Sequence, residues 1–148
     1  MAIQKRYTDV INALLAHRDI NLNLEGSKGM TPWMYAIEEG NVGAVKALLE
    51  AGADVNATDK TSFTALMLGA LRGNVEVVNV LLDSGANVDA THRNGATALI
   101  IAASLGNIEV IKPLLDQGAE VDAIDKQDFT ALMNAAFYGH AHFVDALL

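Results

Sequence analysis

The chain contains no cysteine. That excludes disulfides, thiolate chemistry and cysteine-based zinc sites, and it fits a reducing, cytoplasmic compartment. Long apolar runs are missing too: the longest greasy stretch, Ala98 to Ala103, is far too short to cross a membrane. The first residues, MAIQKRY, lack an apolar region ahead of their charges and so do not read as a secretory signal. Basic residues are scarce, with 10 Lys and Arg against 18 Asp and Glu and a formal net charge of −8. Phosphate neutralisation draws on clustered Lys and Arg, so neither nucleic acid nor an anionic membrane is an expected partner. The glycines form no G-x-G-x-x-G or Walker pattern, and no Ser–His–acid set stands out.

What the chain does have is self-similarity. Its 148 residues are 51% apolar and 19% charged, enough for one ordinary domain with a core and not the composition of a disordered chain. Thr31, Thr64, Thr97 and Thr130 recur at intervals of 33 residues, as do Gly40, Gly73, Gly106 and Gly139. The Leu pairs at 48–49, 81–82, 114–115 and 147–148 keep the same step, followed by Gly52, Gly85 and Gly118. Each unit has a physical reading. Threonine is a good N-cap, and Thr31-Pro32 adds proline at the first helical position, where its missing N–H costs little. A short Ala- and Leu-rich inner helix follows, and a glycine ends it in the left-handed conformation. Asn41, Asn74 and Asn107 then cap an outer helix, with Glu76 and Glu109 in first turns where the dipole favours acid. Val78, Leu81 and Leu82, and again Ile111, Leu114 and Leu115, give that helix one apolar face. The segment ADVNATDKTSF reads as an extended loop or hairpin tip. No unit could bury its apolar face alone, whereas stacking on a like neighbour buries both. The small residues Ala36, Gly69, Ala102 and Ala135 are expected to let inner helices approach closely.

This 33-residue pattern, with LLEAGADVNATD at 48–59 closest to it, resembles the ankyrin repeat family. The resemblance covers about residues 26–148. It implies an all-α fold, an ankyrin-repeat solenoid of stacked helix-turn-helix units with hairpin-like loops. The units are then 26–58, 59–91, 92–124 and a truncated 125–148, after a partial unit at 1–25 in which Thr8 caps a helix with Ile11, Leu14 and Leu15.

Several residues depart from the family pattern. Its T-P-L-H tetrad keeps only Pro32, with Ala65, Ala98 and Ala131 elsewhere, and the histidine is replaced by Met34, Met67, Ile100 and Met133. Greasy filling of the core is expected of all four. Pro113 falls inside the outer helix expected over 108–117, at a cost of about 3 kcal/mol if unrelieved, so a local bend or an early break is expected. At the other end Phe143, Val144 and Leu147 have no following unit to cover them.

Candidates for chemistry are weak. His140 and His142 point apart on a helix and lack a third ligand, so His140 is expected as a structural cap and no metal site is expected. His17 with Arg18 suits a helix C-terminus, and His92 reads as a surface polar contact. Asp54, Asn87 and Glu120, like Asn56, Asp89 and Asp122, recur by period and are more simply turn-formers than acid–base groups. No catalytic residue and no cofactor are expected, so the chain does not read as an enzyme.

The resemblance further implies a concave groove made by hairpin tips and the exposed ends of the inner helices. Carried onto this chain, the tips offer Ser27, Lys28 and Met30, then Lys60, Thr61 and Phe63, then Arg93, Asn94 and Ala96, then Lys126, Gln127 and Phe129. The helix ends offer Glu38 and Glu39, Leu71 and Arg72, Ser104 and Leu105, Phe137 and Tyr138. These positions vary between units while the framework does not, and they carry the aromatic and Arg types that dominate protein interfaces. Phe63 and Phe129 either face the groove or pack under their own loops. The expectation is a non-catalytic module that binds another protein through the groove. The alternative is a structural or assembly module that self-associates through its C-terminal end. A small-molecule site in the groove has no motif to support it.

Overall fold

The computed structural model describes residues 31–148, together with Asp9, Asn12, Ala13, Ala16 and Leu22. The expectations for the Thr8-capped helix, for His17 and for the first tip at Ser27, Lys28 and Met30 lie outside those residues.

Among the described residues eight α-helices form in chain order: α1 (Pro32–Glu38), α2 (Val42–Glu50), α3 (Ala65–Arg72), α4 (Val75–Asp83), α5 (Ala98–Leu105), α6 (Ile111–Asp116), α7 (Ala131–Phe137) and α8 (Ala141–Leu147). They are paired inner and outer. The inner helices α1, α3, α5 and α7 stack side by side in one layer. The outer helices α2, α4 and α6 stack in a second layer against it, and α8 packs on the turn that precedes α6. No strand forms among these residues, and the loops carry only an isolated antiparallel bridge between Thr58 and Thr64. The chain is an all-α repeat solenoid.

Local causes recur from pair to pair. The amides of Met67, Ile100 and Met133 donate to the hydroxyls of Thr64, Thr97 and Thr130 at 3.2, 3.3 and 3.2 Å. Thr31 precedes Pro32 as expected but makes no such bond among the described residues. Gly73 and Gly106 end α3 and α5 with φ of 65° and 70°, the left-handed conformation that glycine adopts without a Cβ penalty. Asn41 and Asn74 accept from the amides of Ala44 and Val77 and cap their outer helices.

The core is one continuous apolar cluster running through both layers, with Trp33, Ile37, Leu48, Leu66, Met67, Leu81, Leu99, Leu114 and Phe143 fully enclosed. Each such Leu or Phe side chain contributes about 1.5–3 kcal/mol through removal from water.

Five sequence expectations need correction. Asn107 does not cap its helix; its Nδ2 instead donates back to the carbonyls of Ala70 and Leu71, at 2.8 and 3.0 Å. Without that cap the outer helix opens as a 3₁₀ turn, Ile108–Val110, and the α-helix starts only at Ile111. Pro113 therefore falls in a first turn, where an N–H has no helical acceptor anyway, and the early break relieves the clash. Met133 is not core filler: Met34, Met67 and Ile100 are at most 3% exposed, but Met133 is 51% exposed because no further helix pair covers it among the described residues. Phe143 has the opposite fate and is completely buried, while Val144 and Leu147 pack half-buried against the core. Finally, Gly69 is small for its own outer helix and not for the neighbouring inner ones. A Cβ there would meet Val78 Cγ2 at 3.1 Å and Val77 Cγ1 at 3.5 Å, both on α4.

Candidate functional site: the hairpin tips and inner-helix ends

Among the described residues each of the three hairpin tips is folded around one side-chain oxygen. Asp59 Oδ1 accepts from the amides of Thr61 and Phe63 at 2.7 and 2.9 Å and from the Thr61 hydroxyl at 2.6 Å. Asp125 Oδ1 accepts from the amides of Gln127 and Phe129 at 2.8 and 3.1 Å. In the middle tip the equivalent residue is His92, and Asn94 takes over, its Oδ1 accepting from the Ala96 amide at 2.9 Å. The Asx chemistry therefore survives a change of position. The His92 ring also contacts that Asn94 oxygen, at 2.7 Å, and stands edge-on to Phe63 with centroids 5.7 Å apart. Burial raises the Asp59 carboxyl, but the bonds from Thr61 and Phe63 and the nearby His92 outweigh it and hold the group below the ordinary carboxylate value.

Neighbouring tips are joined by backbone. The Arg93 amide donates to the Thr61 carbonyl at 3.0 Å, and the Lys126 amide to the Asn94 carbonyl at 2.8 Å. Gly95, with φ of 83°, sits where a Cβ would press on the Asp125 and Lys126 backbone at 3.0 Å. Here glycine is required for the close approach of two tips.

At the inner-helix ends the groove candidates divide. Leu105, Phe137 and Tyr138 are 49%, 71% and 57% exposed. Phe137 packs edge-on to Tyr138 and to Phe129, with centroids 5.1 and 6.0 Å apart, and Tyr138 stacks on His140 at 6.5 Å. The structure thus brings Phe129, Phe137 and Tyr138 into one aromatic row. Arg72 pairs with Glu38 on the preceding inner helix. Ser104 is committed internally, donating to the Ile100 carbonyl and contacting Asn134 Oδ1 of α7. Leu71 is half-buried. Lys60, Arg93, Asn94, Lys126 and Gln127 are exposed, and Thr61, Phe63 and Phe129 are half-buried. Phe63 packs against the core under its loop.

Two features escaped sequence reasoning. His140 takes the N-cap position of α8, as expected, but its side chain makes no capping bond there: its Nε2 lies 3.0 Å from the Ser104 carbonyl, a bridge to the previous unit. The periodic Asx residues do shape their own turns, Asp54 accepting from Asn56 and Asn87 from Asp89, but they also tie unit to unit. Asn56 Oδ1 accepts from the Asn87 amide at 2.8 Å, and Asp89 Oδ1 from the Glu120 amide at 2.8 Å. Their exact spacing of one period was the available signal. Among the described residues no three His, Asp or Glu side chains converge as a metal site, and no helix is long and apolar enough to cross a membrane.

The sequence that builds this geometry is matched by a family model for ankyrin repeats in three copies, over residues 1–92 and 66–148. The chain belongs to the ankyrin repeat family. It is 38% identical over 72 residues to YahD of Escherichia coli (strain K12), a protein named for the same repeat, covering 45% of this chain and 36% of YahD. It is 46% identical over 50 residues to delta-latroinsectotoxin-Lt1a of Latrodectus tredecimguttatus, covering 33% of this chain and 4% of the toxin. The match thus spans well under two thirds of either relative. Ankyrin repeats are in general protein–protein interaction modules and typically non-catalytic.

Proposed function

We propose that this ankyrin array is a non-catalytic module that binds another protein through the row of tips and inner-helix ends, with units dividing at 59, 92 and 125. The observation that carries this reading is the set Leu105, Phe137 and Tyr138, large apolar side chains held in solvent on a framework whose backbone is bonded from tip to tip. Rigid presentation lowers the ordering cost of association. Aromatic side chains with freedom to desolvate are the usual anchors. Lys60, Thr61, Phe63, Arg93, Asn94, Lys126, Gln127 and Phe129 form the tip side of this surface, and Leu71, Arg72 and Ser104 its helix side. The test is capture of partners from lysate by the parent and by a Leu71→Ala, Arg72→Ala, Tyr138→Ala variant. A folded variant that loses the captured proteins supports the placement, and unchanged capture rejects it.

A second reading is favoured by Met133. It is half exposed where its equivalents Met67 and Ile100 are enclosed by the next pair. Self-association through this end would cover it. Light scattering that gives a monomer at high concentration rejects that reading.

A further inference from the structure

We propose that the cleft between the C-terminal ends of α2 and α4 is a second docking surface, which takes an arginine side chain from a basic segment of a partner protein. It belongs to the outer layer and not to the tips or inner-helix ends, so it stands apart from the groove reading above.

The cleft holds about 450 Å³, room for one long side chain and the residues flanking it. Its floor is apolar: Ala53 is buried, and Leu49, Val55 and Val80 are half-buried. Its rim carries two exposed carboxylates, Glu50 and Asp83, the last residues of their helices. A helix C-terminus favours cations and disfavours acids. Yet neither helix has a basic residue in its last turn, and neither carboxylate is in an ion pair among the described residues. Lys46 also lines the cleft, but it pairs with neither acid and still leaves the site acidic. The Ser84 hydroxyl donates to the Val80 carbonyl at 2.8 Å, so its lone pairs remain for an N–H donor. One period on, the corresponding acids are Asp83 and Asp116. There Lys112 is already bonded to Asp116 at 2.6 Å, and Pro113 replaces Val80. Of these two intervals, only the first sets two unpaired acids beside an apolar floor.

The chemistry of the cleft selects its occupant. A hydrated metal ion gains nothing from Leu49, Val55 and Val80, whereas a long aliphatic stem does. A guanidinium head is weakly hydrated and holds its N–H donors in a fixed fork, so it can bridge carboxylates offered by two different helices. A lysine ammonium is a compact, strongly hydrated point charge and meets them less well. The surroundings favour a basic segment as the carrier. Glu50, Glu76, Asp83, Glu109, Asp116 and Asp145 are exposed on the outer helices or the turn before α6, with Lys46 and Lys112 the only Lys or Arg there. This face attracts a cationic chain and repels an acidic one.

Titration of the isotope-labelled protein with a blocked heptapeptide, Lys-Gly-Leu-Arg-Leu-Gly-Lys, followed by amide NMR shifts, tests this. Saturable shifts are expected at the amides of residues 50–55 and 80–85. Affinity should fall about tenfold when citrulline, the neutral isostere, replaces the arginine, and by a similar factor on a Glu50→Gln, Asp83→Gln variant. Lysine in place of the arginine should bind more weakly, and added salt should weaken the parent complex. No shift at those amides, equal binding of the citrulline peptide, or undiminished binding to the variant overturns the inference. A lysine peptide that binds as well removes arginine as the occupant. Shifts confined to the tips and inner-helix ends place basic chains in the groove and reject the outer cleft. Both acids are exposed and outside any ion pair among the described residues, so the variant should unfold at the parent temperature. The citrulline comparison needs no variant and stands by itself.

Discussion

The Nε2 of His140 lies 3.0 Å from the carbonyl of Ser104, one unit back, and its ring closes over Gly106. A Cβ on Gly106 would come within 2.6 Å of His140 Nδ1, while Gly118 has nothing within 4 Å. Both glycines have positive φ, so alanine is strained at either site. Gly106→Ala adds the collision and should cost about 1–3 kcal/mol more than Gly118→Ala. Urea denaturation of the two variants measures the difference, and equal losses would deny the bridge its role.

Met67 and Met133 occupy equivalent positions with opposite exposure. Truncating Met67 to alanine removes a fully packed side chain and should cost about 2–5 kcal/mol. The same change at Met133 should cost less than about 1 kcal/mol. Paired chemical melts check this.

Pro113 lies in the first turn of α6. Replacing it with alanine restores an N–H that has no acceptor in that turn. The stability change should stay within about 1 kcal/mol, far from the 3 kcal/mol expected of a mid-helix proline. A gain of several kcal/mol in denaturant would mean the helix is strained there after all.

Asn56→Ala and Asp89→Ala should each cost about 1 kcal/mol, the net worth of a bond to a neighbouring unit. The sharper readout is hydrogen exchange. Protection should drop at the Asn87 amide in the first variant and at the Glu120 amide in the second.

The Asp59 carboxyl is held below its ordinary value in the folded chain. A depressed folded value means that the ionised group stabilises the fold above the unfolded value, near 3.8, and that this contribution disappears as pH falls through the folded value. Asp59→Asn should therefore flatten the acid limb of the stability curve below about pH 4 and lower stability at neutral pH. Denaturation midpoints between pH 2 and pH 7 test the sign.

Much of the architecture was legible because one period repeats its causes. A threonine before each inner helix and a glycine after it act locally, so sequence alone located them. Asn107 was misjudged because its side chain has two available fates. It can cap its own helix, as Asn41 and Asn74 do, or reach the carbonyls of Ala70 and Leu71, and only the packed neighbour decides. Gly69 was assigned the wrong neighbour for a similar reason, since smallness in a sequence does not say which helix comes close. At the candidate site, the exposure of Phe137 and Tyr138 followed from their place at a helix end. The Phe63–His92 contact and the Arg72–Glu38 pair did not, because each joins residues about one unit apart through side-chain directions that spacing does not encode.

Among the described residues the substantial helix contacts all join elements of one pair or of adjacent pairs. The molecule accordingly has no keystone. An injury in α7 reaches α1 only by passing through each pair between, and it should fade on the way. Length is then a free variable. Inserting or deleting a module changes how far the surface reaches while leaving the surviving joints as they were.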